Sequence, residues 1–283
     1  MRFMSSGLAH ARPLGQRQPQ CHIPCMAAPD TILSDRSVIT ITGKDTHDFL
    51  QRVITTDMGG LSAGEIRTGA LLTPQGKILA DFLIHGRENG VFLDIWHGVA
   101  ESLVKRLSLY RLRADVQIDV SAEHAVLVGS GEADPRSGAL PRRKIQAPEA
   151  SSDGSAVQVG REIAAGVPAF GRDYGEAEVF PTDVNLDLYG GIAWKKGCFI
   201  GQEVLSRMKR RGTIRKRSVL IVSQSGPLDQ GQDIKAGDII IGQLTSADGK
   251  HAIARIRTDR LANAGAAPTV EGKLVDIVLP SND

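Results

Sequence analysis

The chain has 283 residues and is poor in aromatic side chains, in cysteine and in long apolar runs. Aromatic residues make up only 4% of it, so a folded core has to be built from Val, Ile, Leu and Ala. The three cysteines are too few for a disulfide scaffold and fit a reducing compartment. No apolar stretch approaches the roughly 18 residues that a membrane-spanning helix needs, so we predict no membrane partner.

Several catalytic and metal-binding motifs are missing as well. The sequence has no Gly-x-Ser-x-Gly, no phosphate loop of the Gly-Lys-Ser/Thr kind and no His-x-x-x-His helix motif. A segment near the N-terminus, Cys21-His22-Ile23-Pro24-Cys25, matches no strong zinc spacing. We therefore predict that the protein holds no stably bound metal.

Residues 1–29 differ in composition from the rest of the chain. They contain three arginines, no acidic residue before Asp30 and no hydrophobic periodicity, so we expect a disordered N-terminal extension. Two interpretations stay open: an upstream extension with Met26 as the true start, or an organelle-targeting peptide, which has this basic and acid-free composition. The remaining length is enough for two or three domains, each with its own core.

Hydrophobic periodicity predicts a mixed α and β chain followed by an all-β end. Helical spacing places Phe49, Leu50 and Val53 on one face of a helix. The predicted helices are 44–54, 99–109 and 201–211, and the predicted strands are 38–42, 66–72, 78–85, 91–96, 116–120, 125–128 and 156–159. Residues 129–155 are rich in Gly, Pro, Ser and Arg and predict a long surface loop. From Arg217 onward, short apolar runs predict a small β-barrel.

One segment, Lys195–Glu203, combines features that activate a thiol. It places Cys198 between Gly197 and Gly201, next to two lysines, where a helix is predicted to start. Helix N-terminal N–H groups and nearby cations stabilise a thiolate, and flanking glycines allow another molecule to approach the sulfur. The alternative is a buried cysteine that acts as a small apolar residue.

Positive charge is concentrated around the same cysteine. Between Lys195 and Arg217 there are nine basic residues and one acidic residue, a net charge of +8, whereas the whole chain carries +2 and the remainder therefore −6. The run is either a solvated face or a positive field that attracts an anionic ligand or an acidic partner. Direct nucleic-acid binding is not expected, because only Trp194 and Phe199 are available nearby for base stacking.

Several motifs together resemble a known family. Lys196–Glu203, followed by Arg207 and Arg211-Gly212, resembles the signature of YgfZ-type folate-binding proteins. These are relatives of the glycine-cleavage T-protein that serve iron–sulfur cluster assembly and repair, with a related mitochondrial branch. The supporting pieces are Phe49-Leu50-Gln51, Thr55-Thr56-Asp57, Gly64, Pro74-Gln75-Gly76-Lys77, Ala165-Gly166-Val167-Pro168, Pro181 and Asn185-Leu186. The resemblance covers roughly residues 35–283.

The resemblance implies an α+β fold arranged as a ring of three domains. Two interlocked folate-binding domains with antiparallel sheets would cover residues 30–120 and 121–212, and a small C-terminal β-barrel would cover residues 213–283. A central channel would bind tetrahydrofolate, with Cys198 near its mouth. We expect a monomer in the bacterial cytoplasm, with the mitochondrial matrix as the alternative.

The resemblance also implies the residues of the site. Cys198 would be the reactive group, and the folate contacts would be Asp81, Trp194, Lys196, Gln202, Glu203 and Arg207. T-proteins carry two acidic residues after the glycine turn, whereas this chain has Ala80 and Asp81. The Asp81 carboxylate could accept two N–H groups of a pterin ring. A solvated or salt-bridged aspartate at the end of a strand is the alternative.

Two functions follow as hypotheses. The first is a non-catalytic, tetrahydrofolate-binding factor that matures or repairs iron–sulfur proteins together with A-type cluster carriers and client cluster enzymes, among them enzymes that modify tRNA. A [4Fe–4S] cluster needs about four ligands, so Cys198 could only complete a site shared with a partner. The second is a folate-dependent one-carbon transferase of the aminomethyl type, which the loss of one carboxylate puts in doubt.

Overall fold

The computed structural model describes residues 29–148, 151–212 and 214–280. The predicted extension 1–29, with Cys21 and Cys25, lies outside the described residues except for Pro29. The strands are β1 Thr31–Ile32, β2 Arg36–Thr42, β3 Ile66–Leu72, β4 Ile78–Arg87, β5 Gly90–Trp96, β6 Gln117–Val120, β7 Ala125–Gly129, β8 Arg142–Gln146, β9 Lys216–Ser223, β10 Asp233–Ala236, β11 Ile239–Asp248, β12 His251–Arg257, β13 Pro268–Val270 and β14 Lys273–Val278. The α-helices are α1 Thr46–Val53, α2 Ala100–Arg111, α3 Ser155–Ala164, α4 Gln202–Arg210 and α5 Thr258–Ala262, and short 3-10 helices cover His97–Val99 and Pro181–Val184.

The first part of the chain forms a five-stranded antiparallel sheet in the order β3-β4-β5-β2-β6. Helices α1 and α2 contribute to its core with the residues that helical spacing predicts, among them Phe49, Leu50, Leu103 and Leu107. The core is aliphatic because the chain has few aromatic residues to place there. The predictions for this part are confirmed, with β4 extending past the predicted end to Arg87.

A smaller antiparallel sheet, in the order β1-β7-β8, corrects one prediction. The prediction that residues 129–155 form only a loop is wrong, because β8 pairs with β7 from Ala125 opposite Gln146 to Gly129 opposite Arg142. The sequence Arg-Arg-Lys-Ile-Gln does not predict this strand, because it has no apolar alternation. Its buried residue is Arg143, whose charge is compensated by acidic groups.

Helix α3 corrects a second prediction. The prediction of a strand at 156–159 is wrong, because these residues belong to α3. Short apolar runs do not distinguish a strand from a buried helix segment. The buried face of α3 consists of Gln158, Glu162 and Ile163, whereas Val157 is exposed. The face that α3 buries is therefore mostly polar, and the apolar run at 156–159 does not mark it.

The C-terminal strands close into a barrel in the order β10-β11-β12-β9-β14-β13, as predicted. The barrel has its own apolar core, which includes Val219, Ile221, Ile234, Leu244 and Ile256. Helix α5, which the sequence did not predict, follows β12 directly. The predicted domain boundaries near residues 120 and 212 stay predictions.

Polar contacts join the barrel to the preceding segments. Arg217 binds Asp187 through two parallel bonds of 2.5 and 2.8 Å, a bidentate geometry with strong orientational preference. Asp173 accepts hydrogen bonds from Thr245 (2.7 Å) and Ser246 (2.6 Å) of β11. The barrel therefore contacts the rest of the molecule through an ion pair and hydrogen bonds. None of the described helices has the length and apolar character to cross a membrane.

Candidate functional site

Cys198 lies in the loop that precedes α4, and its side chain is exposed. The alternative of a buried apolar cysteine is therefore wrong. Helix α4 begins at Gln202 with Gly201 as its N-cap residue, so Cys198 stands just outside the first turn of the helix. Stabilisation of a thiolate by the helix N-terminus and the lysines stays a prediction.

The two glycines that flank Cys198 have different surroundings. A Cβ atom added at Gly197 would meet nothing within 4 Å, so this side of the thiol is open. Gly201 has φ +80° and packs against the turn at Gly76: an added Cβ would lie 2.7 Å from the carbonyl oxygen of Thr73 and 3.1 Å from the Cα of Gly76. Gly197 thus leaves space for an approaching molecule, whereas Gly201 permits close packing of two segments.

Lys196 is anchored by three backbone carbonyl groups. Its ammonium donates to the carbonyl oxygens of Gln51 (2.9 Å), Ile54 (2.6 Å) and Thr56 (2.6 Å), at the C-terminal end of α1. Burial lowers the pKa of Lys196 to about 8, and the Asp57 carboxylate opposes this shift. The Lys196 nitrogen also lies 5.0 Å from the centre of the Phe199 ring.

Further bonds fix the segment that leads to Cys198. The Ala193 amide donates to the Thr55 carbonyl (2.9 Å), and the Thr55 hydroxyl donates to the Gly191 carbonyl (2.6 Å). The side-chain amide of Gln202 donates to the Lys196 carbonyl at 3.4 Å. The motif Thr55-Thr56-Asp57 and the cysteine signature, separated in sequence, therefore form one structural unit.

The positive charge around this loop is largely at the surface. Lys196 and Arg217 are bound internally. The other seven basic residues of the run are exposed, namely Lys195, Arg207, Lys209, Arg210, Arg211, Arg215 and Lys216. The Lys209 ammonium lies 4.1 Å from the centre of the Trp194 ring. Glu203 and Arg207 are 3.5 Å apart and exposed, a pair that contributes little to stability.

Asp81 lies in a different environment, within β4 rather than at its end. It is opposite Ala70 of β3, and its carboxylate accepts a hydrogen bond from the Tyr174 hydroxyl. Burial raises the pKa of Asp81, and the bond from Tyr174 opposes that rise. The alternative of a solvated or salt-bridged aspartate at a strand end is therefore wrong.

The cavity beside Asp81 is too small for a pterin. Its volume is about 20 Å³, which is room for roughly one water molecule. The side chains of Tyr174 and Tyr189 are part of its wall. A pterin ring does not fit against Asp81 while Tyr174 keeps this position.

Two larger cavities adjoin this constriction. One of about 330 Å³ shares Arg136 and Tyr189 with it, and is bordered on the barrel side by Leu220 and Val278. The other, of about 540 Å³, shares Tyr174. Ligand pockets typically have about 300–1,000 Å³, so both have room for a ligand that the constriction excludes.

A buried chain of alternating charges runs past the Asp81 cavity, and sequence reasoning missed it. Its order is Arg36, Asp94, Arg143, Asp134, Arg136, Glu162, Arg172 and Asp173. Burial opposes ionisation of Asp94, but the guanidinium groups of Arg36 and Arg143 outweigh it and hold the pKa of Asp94 at about 2. Most partners are distant in sequence, so the local signal is limited to the pairs Asp134 with Arg136 and Arg172 with Asp173.

The predicted site residues thus fall into two groups. Trp194, Lys196, Gln202, Glu203 and Arg207 belong to the Cys198 loop and α4. Asp81 faces a cavity whose lining, among the described residues, includes none of them. The folate contacts stay predictions for all six residues. The described residues also contain no group of three or more His, Cys, Asp or Glu placed to hold a metal ion.

A comparison with solved structures defines the fold. The aminomethyltransferase T of the glycine cleavage system from Bartonella henselae superposes with a TM-score of 0.69 at 18% sequence identity. The match covers 89% of this chain and 85% of that chain. The protein therefore has the fold of glycine-cleavage T-proteins: α+β, with antiparallel sheets and a C-terminal barrel, as predicted.

Sequence comparisons show which proteins of this fold the chain is similar to. Residues 215–282 match the family model described as "CAF17, C-terminal beta-barrel domain". The chain is 28% identical over 220 residues to the mitochondrial iron-sulfur cluster assembly factor IBA57 homolog of Mycosarcoma maydis, covering 65% of this chain and 54% of the relative. It is 27% identical to human mitochondrial IBA57 (65% and 64% covered) and 26% identical to the tRNA-modifying protein YgfZ of Vibrio vulnificus (68% and 69% covered).

The chain is thus similar to proteins of the YgfZ family and to its mitochondrial branch, the resemblance that its motifs predict. It spans between about half and two thirds of the length of the mitochondrial relatives: 54% of the Mycosarcoma maydis protein and 64% of the human protein.

Proposed function

We propose that the protein is an accessory factor for the assembly or repair of iron–sulfur clusters, and that Cys198 contacts the cluster in a complex with a partner. The observation that carries this proposal is one exposed thiol on an anchored loop, within a run of the sequence whose basic residues are mostly exposed. The relatives named as assembly factors support the same class of function.

The number of cysteines in the protein limits how it could bind a cluster. A [4Fe–4S] cluster uses about four thiolate ligands, and Cys198 is the one cysteine within the described ranges. The partner would supply the remaining ligands, so the cluster is cargo shared between two proteins. The open side at Gly197 gives a partner access to the sulfur.

The exposed positive charge favours one kind of partner surface. Seven exposed basic residues between Lys195 and Lys216 favour an acidic protein surface, because complementary charge accelerates encounter and fixes orientation. We propose A-type cluster carriers as donors and client cluster enzymes, including enzymes that modify tRNA, as acceptors. The relatives include mitochondrial and bacterial proteins, so both compartments stay predictions.

Tetrahydrofolate is the small molecule that we propose as ligand of the cavities between the sheets and the barrel. The cavity of about 330 Å³ next to Arg136 and Tyr189 has a suitable size. Contact between the ligand and Asp81 would require the Tyr174 side chain to leave its position. This constraint, together with Ala80 at the second acidic position, weighs against one-carbon transfer as the main function.

Complementation tests the proposed function. In a strain that lacks its own family member, the full chain should restore the activity of cluster-dependent enzymes, whereas the Cys198→Ser variant should not. The Asp81→Asn variant should restore most of the activity. If Cys198→Ser complements fully while Asp81→Asn fails, the thiol is dispensable and one-carbon transfer becomes the better assignment.

A further inference from the structure

The Lys196 ammonium occupies the end of helix α1. The last carbonyl groups of a helix have no partner within it, and they form the negative end of its dipole. Gln51 belongs to the last turn of α1, and Ile54 is its C-cap residue. Lys196 binds both carbonyls and that of Thr56, at distances between 2.6 and 2.9 Å. A cation is thus placed where the backbone of α1 requires one.

These bonds use the full donor capacity of the side chain. A lysine ammonium has three hydrogens and no acceptor, and the three carbonyl groups take one each. No donor is left for a folate carboxylate or for a partner protein. The predicted role of Lys196 as a folate ligand would require it to give up at least one bond to α1.

The anchor lies next to the reactive residue. Two residues separate Lys196 from Phe199, whose ring is buried in the main core, and Gly197 and Cys198 are the residues between them. The loop is therefore held on one side by the ammonium and on the other by the aromatic ring. The Lys196 nitrogen also lies 5.0 Å from the centre of this ring, within cation–π range.

We propose that Lys196 is a positioning residue for Cys198: by binding the end of α1 it keeps the exposed thiol in one conformation for a shared cluster. This inference rests on the proposed function for its consequence, although the anchor itself does not. Residues that orient a metal ligand from outside the first coordination sphere typically change metal affinity by about 10–100-fold when they are replaced.

The test compares two adjacent lysines of equal charge. Lys196→Met removes the anchor, whereas Lys195→Met removes the exposed charge of the preceding residue. Both are made in a full-length chain carrying Cys21→Ser and Cys25→Ser, so that Cys198 is the one thiol. Three readouts are followed: amide exchange at Ala193, the alkylation rate of Cys198, and visible circular dichroism of the cluster formed with a cluster-loaded A-type carrier.

We expect Lys196→Met to speed exchange at Ala193, to change the alkylation rate, and to weaken formation of the shared cluster by about 10–100-fold with an altered dichroism spectrum. Lys195→Met should leave exchange and the spectrum unchanged and weaken the complex by only about threefold, in a salt-dependent way, as for a rim charge. If Lys196→Met does not fold, Lys196→Arg is measured, because a planar guanidinium cannot place three donors on the same three carbonyls. The same effects, smaller in size, are then expected.

Two results would overturn the proposal. One is equal behaviour of Lys196→Met and Lys195→Met in all three readouts. The other is loss of tetrahydrofolate binding in Lys196→Met with exchange and cluster sharing unchanged, which would make Lys196 a ligand. Failure of the proposed function gives a different pattern: the wild-type chain forms no shared cluster, while exchange at Ala193 and alkylation of Cys198 still respond to Lys196→Met.

Discussion

Cys198 is exposed on a loop fixed to the end of one helix, whereas Asp81 lines a small cavity whose walls come from distant parts of the chain. The first region has open space beside the thiol and exposed positive charge. The second keeps one T-protein-like carboxylate but has a volume of about 20 Å³. The thiol is therefore accessible from solvent, whereas a pterin could reach Asp81 only if the Tyr174 side chain moved.

The largest expected effect is on stability and concerns the ionic chain beside the cavity. Arg143 is 1% exposed and bridges Asp94 and Asp134. Arg143→Met leaves two buried carboxylates without this partner and should lower the free energy of unfolding by about 3–5 kcal/mol. Urea unfolding measures the loss.

The neighbouring arginine provides the control. The Arg142 side chain is 59% exposed and lies 4.0 Å from Glu132. Arg142→Met should cost less than about 1 kcal/mol, as is usual for exposed pairs. Equal losses for the two variants would show that the buried chain does not hold the cavity walls.

Acid should lower the free energy of unfolding through the ionic chain beside the cavity, because that chain contains Asp94. The pKa of Asp94 is about 2 in the folded protein, below the usual value of about 3.9. Its stabilising contribution is therefore complete above about pH 4 and is lost as the pH falls toward 2. For such a shift the loss is of order 2.6 kcal/mol, and urea unfolding across this range measures it. Asp94→Asn should flatten that part of the pH dependence, and an unchanged slope would contradict the assignment.

The two glycines beside Cys198 should respond differently to alanine. Gly201→Ala places a Cβ 2.7 Å from the Thr73 carbonyl oxygen at a φ of +80°, and should cost about 1–3 kcal/mol of stability. Gly197→Ala meets no atom within 4 Å and should be nearly neutral. Thermal unfolding compares them. A larger loss for Gly197→Ala would mean that the loop is packed differently.

A smaller effect is expected on ligand binding at the cavity. Tyr174→Ala removes the side chain that bonds Asp81, so the constriction widens and the affinity for tetrahydrofolate should rise by about tenfold, or 1.4 kcal/mol. Tyr110→Ala, on the surface of α2, is the control and should leave the affinity unchanged. Anaerobic calorimetry measures both. A loss of affinity in Tyr174→Ala would show that Tyr174 is a ligand contact rather than a barrier.

The predictable part of the fold is the part with apolar periodicity. Phe49, Leu50 and Val53 mark α1, and the short apolar runs after Arg217 mark the barrel. Strand β8 and helix α3 were not predicted from the sequence, because their buried residues include Arg143, Gln158 and Glu162. A buried charge is stable only beside partners that the sequence does not show to be near.

The candidate site, like the fold, was predictable from the sequence only in part. The exposed, flanked position of Cys198 follows from its neighbours in sequence. The closure of the Asp81 cavity by Tyr174 depends on residues 93 positions apart, and the anchor of Lys196 depends on backbone carbonyls at least 140 positions away. Contacts of this kind exist only in the folded chain.

The central claim is that Cys198 is a cluster ligand in a shared complex. The most direct measurement is anaerobic mixing of the full chain with a cluster-loaded A-type carrier, followed by size-exclusion chromatography with detection of the cluster's visible absorption. The wild-type chain and the Cys21→Ser, Cys25→Ser double variant should both elute as a coloured complex, and Cys198→Ser should not. A coloured complex of undiminished yield with Cys198→Ser would contradict the account.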